Sequence, residues 1–364
     1  MKRILSILII VVLVLSGCGA ASSGSSSEAS ESAAASSTAA SESAASSEVP
    51  SSSSESTAAA PERTQIRLGL LAGPTGVGAA KLLQDSAEGK TASDCQYTLF
   101  NSPTEAAPKL IGGELDIAAV PTNLAAVLYH KTGGQVQLAA LNTLGVLYLL
   151  ALPGEEIHSL QDLAGKTVFS SGQAAVPEYV FTYLLENAGI RDDVNVVYEA
   201  EHDAVIAALA AGKAQIAVLP EPKVTAALGK IEGLSVALDL TEEWDKACEK
   251  NGSAAILSMG CLVVRKAFAD EHPEALSAFL DEYRASIEYM KDEANRESAA
   301  ALCERFGIIP KAAVAAKALP GCSLCFIAGQ EMKAQIAPFY QILFDYDPAS
   351  VGGKIPDDGL YYLP

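Results

Sequence analysis

The sequence predicts an α/β protein built from two Rossmann-like lobes joined by a hinge, with a helical carboxyl-terminal extension on the first lobe. Three observations lead there. From residue 62 onward short apolar runs alternate with stretches of helical periodicity, the pattern of repeated β-α-β units. Gly113–Pro121 aligns without gaps on Gly212–Pro220, with Gly, Ile, Ala and Pro coinciding, so the two halves look alike. After Asp239 the alternation gives way to helices.

In order, Ile66–Leu71 reads as a strand, followed by a Gly-rich turn and a helix through Leu83. Tyr97–Asn101, Leu115–Val120 and Val136–Asn142 read as strands, with helices at Thr104–Ile111 and Asn123–His130 between them. Val146–Leu152 is a further apolar run, and Ser159–Lys166 a short helix closed by Gly165. The second half repeats the scheme: strands Val168–Ser170, Asn195–Glu199, Ile216–Leu219 and Leu234–Leu238, with helices Glu178–Asn187, Asp203–Ala211 and Lys223–Leu228. Such alternation implies parallel sheets covered on both faces. Ser258–Arg265 is one more strand, and Pro273 opens a long helix at the favoured first position. Leu276, Phe279, Leu280, Tyr283, Ile287 and Met290 form its apolar stripe. Further helices at 296–306, 311–318 and 329–344 are expected to pack back on the first lobe. The resulting division is 62–152 and 239–364 for the first lobe and 153–238 for the second, with crossings near Pro153 and Leu238–Trp244.

The amino end is different in kind. Lys2 and Arg3 precede an apolar stretch, Ile4–Leu15, that rises only about 18 Å as a helix, short of the roughly 30 Å hydrocarbon core. Residues 1–17 therefore read as a signal peptide. Leu15-Ser16-Gly17-Cys18 has the form of a bacterial lipobox, which makes Cys18 the expected lipidation site. Residues 18–61 are nearly all Ser, Ala and Glu and cannot bury enough apolar surface to fold. They read as a tether averaging roughly 35–40 Å end to end. This places the protein on the extracytoplasmic face of a cell membrane, as on a Gram-positive surface.

With 25 Lys and Arg against 44 Asp and Glu, the net charge is −19, which argues against nucleic acid as a partner. Cys95, Cys248, Cys261, Cys303, Cys322 and Cys325 lie in the globular part. Cys322-Ser-Leu-Cys325 has no second ligand pair and the four His are scattered, so no metal or other cofactor is expected. Buried thiols and a structural disulfide both remain open.

Ligands of open α/β sheets bind at the carboxyl ends of strands. That rule selects the loops. Pro74, Thr75 and Gly76 lie in a Gly-rich turn before a helix, where free N–H groups are available. Ser170, Ser171 and Gln173 hold the matching place in the second half. Asn101 and Ser102, and Glu201 and His202, begin the next helices. Thr122, Asn123 and Glu221 follow the paired prolines. Asn142 and Thr143 end the last strand before the crossing. Tyr148 and Tyr179 are placed to stack on a planar ring. Each of these also fits a helix cap or ordinary packing. No Arg occurs in these loops, and Glu178, Glu201 and Glu221 oppose an anion. The expected solute is a small polar organic molecule with hydrogen-bonding groups, heteroaromatic compounds included.

The lipobox, the Ser-rich tether and Ile157-His-Ser-Leu-Gln-Asp-Leu-Ala-Gly-Lys-Thr-Val168 resemble a solute-binding lipoprotein of an ABC importer. Gly112-Gly-Glu-Leu-Asp-Ile-Ala118, Leu209–Ala217 and Cys261–Pro273 carry the same likeness, which spans about residues 66–290. The fold implied is that of a type II periplasmic binding protein, in the branch serving nitrate, sulfonates, taurine and thiamine-pyrimidine precursors. Many relatives have Trp-Glu-Pro where this chain has Leu219-Pro-Glu-Pro222, which removes an aromatic from the crevice edge. The resemblance implies a monomer that captures a small solute without chemistry and delivers it to a permease with its ATPase. Two other readings share the fold: an enzyme of the futalosine or pyrimidine type, and a lipoprotein presenting ligand to a sensor. Against the enzyme stand the export signal and the lack of a Ser-His-Asp or Cys-His constellation.

Overall fold

The computed structural model describes residues 63–173 and 175–363. The signal peptide, Cys18 and the tether of the sequence reading lie outside the described residues.

The chain runs β1 (Gln65–Leu71), α1 (Pro74–Val77), α2 (Ala80–Ala87), β2 (Asp94–Phe100), α3 (Pro103–Ile111), β3 (Ile117–Pro121), α4 (Thr122–Lys131) and β4 (Val136–Leu144). It continues through β5 (Leu147–Ala151), β6 (Thr167–Ser171), α5 (Val176–Ala188), β7 (Asn195–Glu199), α6 (His202–Ala210), β8 (Ile216–Pro220), α7 (Lys223–Leu228), β9 (Ser235–Asp239) and α8 (Leu240–Lys250). Then come β10 (Ser258–Arg265), α9 (Lys266–Glu271), α10 (Pro273–Lys291), α11 (Arg296–Arg305), α12 (Ala312–Ala318), β11 (Leu324–Ala328) and α13 (Gly329–Tyr346).

The strands form two sheets. The first has the order β11-β4-β10-β3-β1-β2 and the second β7-β6-β8-β5-β9. Strands β1, β2 and β3 pair in parallel, as do β6, β7 and β8. The expectation of wholly parallel sheets is corrected in two strands of the first, β10 and the edge strand β11, which pairs antiparallel with β4, and in one strand of the second, β5. Strand β10 runs antiparallel between β3 and β4, and β5 runs antiparallel between β8 and β9. Periodicity reports which faces of a strand are covered, not its direction, and both strands are buried on both faces, like their parallel neighbours.

Those two strands are the ones that follow the crossings. The chain leaves the first sheet at Leu144 and enters the second at Leu147, before the expected crossing near Pro153. The apolar run 146–152 therefore belongs to the second sheet. It returns after β9 through α8, where the sequence reading had only a connection. A methyl on Gly145 would collide with the Thr241 hydroxyl at the start of α8 and stand 2.9 Å from Leu257 Cδ2, so the two crossings touch.

Alternating side chains divide each sheet between two helical layers. Ile66, Leu68 and Leu70 pack with Leu82, Leu276, Phe279, Tyr283 and Ile287. Ala118, Val120 and Leu141 face α3, α4 and α13, through Leu110, Ala125, Leu128, Ile336 and Phe339. In the second sheet Val168 and Val218 face Val180, Phe181 and Leu184, and Leu150, Ala217 and Leu219 face Val205, Leu209 and Val224. Each large buried side chain contributes about 1.5–3 kcal/mol relative to exposure. The carboxyl-terminal helices sit on the first sheet through α2, β4 and β11. Two of them also reach the second: α12 packs on α7 and α13 on α5.

Candidate functional site

The carboxyl ends of the two sheets converge. Leu144 N, at the end of β4, donates to Ser323 O, which sets the 3₁₀ turn Leu319–Cys322 beside that strand end. Against this turn lie the start of β5 and the end of β8. Tyr148 Oη donates to Gly321 O at 3.5 Å. A methyl on Gly321 would stand 3.1 Å from Glu221 Cγ, 3.2 Å from its Oε1 and 3.3 Å from Tyr148 Oη. Glu221 is buried, and its carboxylate accepts from Thr225 N (3.2 Å) and Thr225 Oγ1 (2.9 Å).

On another side of the crevice the end of α13 meets α5. Tyr179 and Tyr346 have centroids 5.6 Å apart, Tyr179 Oη donates to Asp347 Oδ2 at 3.4 Å, and Tyr346 Oη donates to Thr182 Oγ1 at 3.5 Å. Tyr179 is thus a packing residue between α5 and α13 as the chain stands, not an open stacking platform.

The first sheet's contribution is a buried polar floor. Asn142 Nδ2 donates to Thr75 O (3.0 Å) and to Tyr283 Oη (3.0 Å), and Thr143 Oγ1 donates to Asn142 Oδ1 (3.0 Å). The hydroxyls of Thr122 and Ser258 share a bond of 2.8 Å, and Tyr340 Oη donates to Thr122 O (2.9 Å). Asn142, Thr143, Thr122 and Ser258 are all fully buried. Their polar groups bond one another, as buried polar groups must. Gly260 makes room for this cluster, since a methyl there would stand 2.8 Å from Asn142 Oδ1 and 2.9 Å from Thr75 Oγ1. Gly76 is required beside it because a methyl would collide with Leu71 O. Pro74, Thr75 and Gly76, expected in a turn before a helix, lie in a helix of only four residues, Pro74–Val77.

Other candidates are occupied by local structure. Ser102 caps α3 through Thr104 N (3.2 Å) and bonds Thr104 Oγ1 (2.7 Å), beside exposed Asn101. Asn123 Nδ2 donates to Ser350 O at 3.1 Å, tying α4 to the chain after α13. Ser170 Oγ donates to Ser171 O at 3.3 Å. Gln173 and Glu201 are exposed. Ser171 Oγ and His202 Nδ1 are hydrogen-bonded, joining the end of β6 to the start of α6. Lys223 Nζ pairs with Asp203 Oδ1 at 2.8 Å beside them.

Among the described residues no group of His, Cys, Asp and Glu is arranged to hold a metal ion, and no helix is long and apolar enough to cross a membrane. The six globular cysteines are free, and five of them are buried. Burial pushes the Cys325 thiol up to about 12 and Cys322 further.

Residues 81–308 match the family model of the periplasmic substrate-binding protein of phosphonate ABC transporters. The chain belongs to this family. No curated protein matches its sequence. Among solved structures, an ABC transporter protein from Parabacteroides distasonis is 25% identical, with a TM-score of 0.69 over 82% of this chain and 99% of that one. The periplasmic aliphatic sulphonate binding protein SsuA of Escherichia coli shares the fold at 16% identity and a TM-score of 0.64, over 84% and 93%. The periplasmic nitrate-binding protein NrtA of Synechocystis PCC 6803 does so at 14% and 0.51, over 75% and 76%. The likeness to ABC-importer binding proteins read from the sequence is thereby met, in family and in two-lobed fold.

In this substrate-binding protein the crevice electrostatics are uneven. Burial raises the Glu221 carboxyl above its ordinary 4.5, against the two Thr225 bonds. Burial pushes the Tyr148 phenol up to about 12, helped by Asp239, Glu221, Cys322 and Glu242. Burial lowers His202 below 6.5, helped by Lys223. Sequence reasoning passed over Lys223, Ser258, Gly260 and Gly321. Lys223 follows the Pro-Glu-Pro segment directly and was legible as a strand-end residue. Gly321 was not, since it reaches Glu221 only through the fold.

Proposed function

We propose that this protein captures a small polar organic solute between its two sheets and delivers it to an ABC permease with its ATPase, working as a monomer held to the membrane through a lipid on Cys18. The observation that carries the reading is the meeting of Tyr148 and Glu221, from the second sheet, with Gly321 beside the end of β4 in the first. Two families of strand ends then enclose one space, and a hinge at Gly145 and α8 lets it open. Solute contacts are assigned to Thr75 and its neighbours Pro74 and Gly76, to Asn101 and Ser102, to Ser170, Ser171 and Gln173, and to Glu201, His202 and Glu221, while Tyr179 backs the wall between α5 and α13. Thr122, Asn123, Asn142 and Thr143 shape the floor beneath them. The family and its sulfonate- and nitrate-binding fold relatives support phosphonates, sulfonates and similar polar solutes; Glu221 and the absence of an Arg clamp in these loops favour a solute that also offers hydrogen-bond donors.

A thermal-shift screen across phosphonates, sulfonates, pyrimidines, vitamins and amino-acid derivatives tests the capture. A hit that also reduces the radius of gyration in solution scattering is the expected result; binding with no compaction would overturn the hinge. The anchor is tested separately: Cys18→Ala is expected to release the protein from the membrane fraction. Ser171 and His202 are, among the described residues, a bonded hydroxyl–imidazole pair in the crevice, so turnover of a bound compound that is lost in His202→Ala would overturn capture without chemistry.

A further inference from the structure

We propose that Glu221 is a proton-dependent clasp between the lobes, taking up a proton as Gly321 covers it and releasing it as the lobes part. The inference rests on the two-lobe capture reading and adds to it a coupling of closure to pH. Glu221 sits at the carboxyl end of β8 and is 7% exposed, yet among the described residues its carboxylate is bonded by Thr225 alone, on its own side of the crevice. Its cover comes from the other lobe: the backbone of the turn Leu319–Cys322, with Gly321 so close that a methyl group would press on Cγ and Oε1. Among the described residues no cation of the first lobe is bonded to the carboxylate in exchange for the water it loses. An ionised carboxylate covered in this way bears a desolvation cost that a neutral carboxyl does not.

The neighbouring groups do not remove that cost. On β5, Tyr148 is neutral across the physiological range, its phenol pushed up to about 12. On the covering turn, burial keeps Cys322 protonated. Behind Tyr148 stand Asp239 at the end of β9 and Glu242 on α8, both acidic. On α7, Lys223 is paired with Asp203. Helix α12, which packs on α7, carries one charge, Lys317, with Lys311 before it. His202, near Lys223, titrates as well, so the test must separate it from Glu221.

The sign follows from linkage. The covered carboxyl is raised above its ordinary 4.5 by burial, so closure binds a proton. Closure is fully favoured below the ordinary value and weakens as pH rises through the raised one, by up to tenfold per pH unit in that window. The experiment uses the full chain in detergent, without solute, in a Cys95→Ser background. Paired spin labels at Ile111→Cys and Val236→Cys, both exposed, report the interlobe distance from pH 4 to pH 9. The expected result is a shift from short to long distances as pH rises, absent in Glu221→Gln and reduced in Gly321→Ala, which props the cover away. A pH response equally large in Glu221→Gln would assign it to His202 or another group and overturn the clasp while leaving the hinge standing. A distance fixed at every pH and in every variant would also overturn the clasp, while the hinge is judged by compaction on adding solute.

Discussion

Gly145 and Thr241 touch at the crossing between the sheets, in a space too small for one added methyl. One belongs to the outward passage, the other to the return. The two passages, nearly a hundred residues apart in sequence, therefore meet here, and the pair sets how closely they approach.

Gly145→Ala is expected to force that contact apart and to lower stability by about 1–3 kcal/mol, the usual cost of overpacking. Urea unfolding measures it. A loss recovered by adding Thr241→Ser or Thr241→Ala identifies the Thr241 side chain as the obstacle.

Trp244, the single tryptophan, is fully buried on α8. Its ring lies 4.7 Å from Tyr183 of α5 and 5.6 Å from Phe339 of α13, and its Nε1 donates to Ala255 O at 3.0 Å. It stands between a helix of each lobe. Its emission is expected to be blue-shifted and to change when a solute closes the crevice. Phe339→Leu should reduce that change. Trp244→Ala should cost about 3–5 kcal/mol by cavity formation.

Asp116, 5% exposed, accepts from Arg67 N and Nε at 2.9 Å each and from Arg265 at 3.3 Å. Burial pushes its carboxyl up, but the Arg67 bonds outweigh burial and hold it below the ordinary 3.8. Its contribution to stability is present above that value and lost as pH falls through the lowered one. Asp116→Asn should lower stability by about 2–3 kcal/mol at neutral pH and leave a flatter acid-unfolding curve.

Lys223 lowers His202 by charge, after burial. In Lys223→Ala the imidazole is expected to titrate at higher pH, since a positive neighbour is gone. Proton NMR of the His202 ring reads the shift directly; no movement would mean that burial alone sets it.

Much of the fold was legible because the nine residues that end with β3 align on the nine that end with β8, and because Leu276, Phe279, Tyr283 and Ile287 mark the buried stripe of α10. Helix α8 escaped although Leu240, Trp244, Ala247 and Cys248 recur at helical spacing. Its polar bulk and its place after a strand read as linker. The reversed directions of β5 and β10 were not legible, since burial on both faces looks alike in either direction. For the site, residue types at strand ends could be selected from sequence, but their partners could not. Asn142 gave no sign that Tyr283 would bond it, nor Glu221 that Gly321 would cover it, because both contacts join segments brought together only by the finished sheets.

The insertion of β10 between β3 and β4 has a consequence for biogenesis. Everything the second sheet needs lies in one stretch, from β5 to β9. The first sheet instead has a gap in its middle until residue 265 has emerged. A chain appearing from its amino end first can therefore complete its later-encoded half before its earlier one, and the early half must wait, with unpaired strand edges, for a piece made more than a hundred residues afterwards.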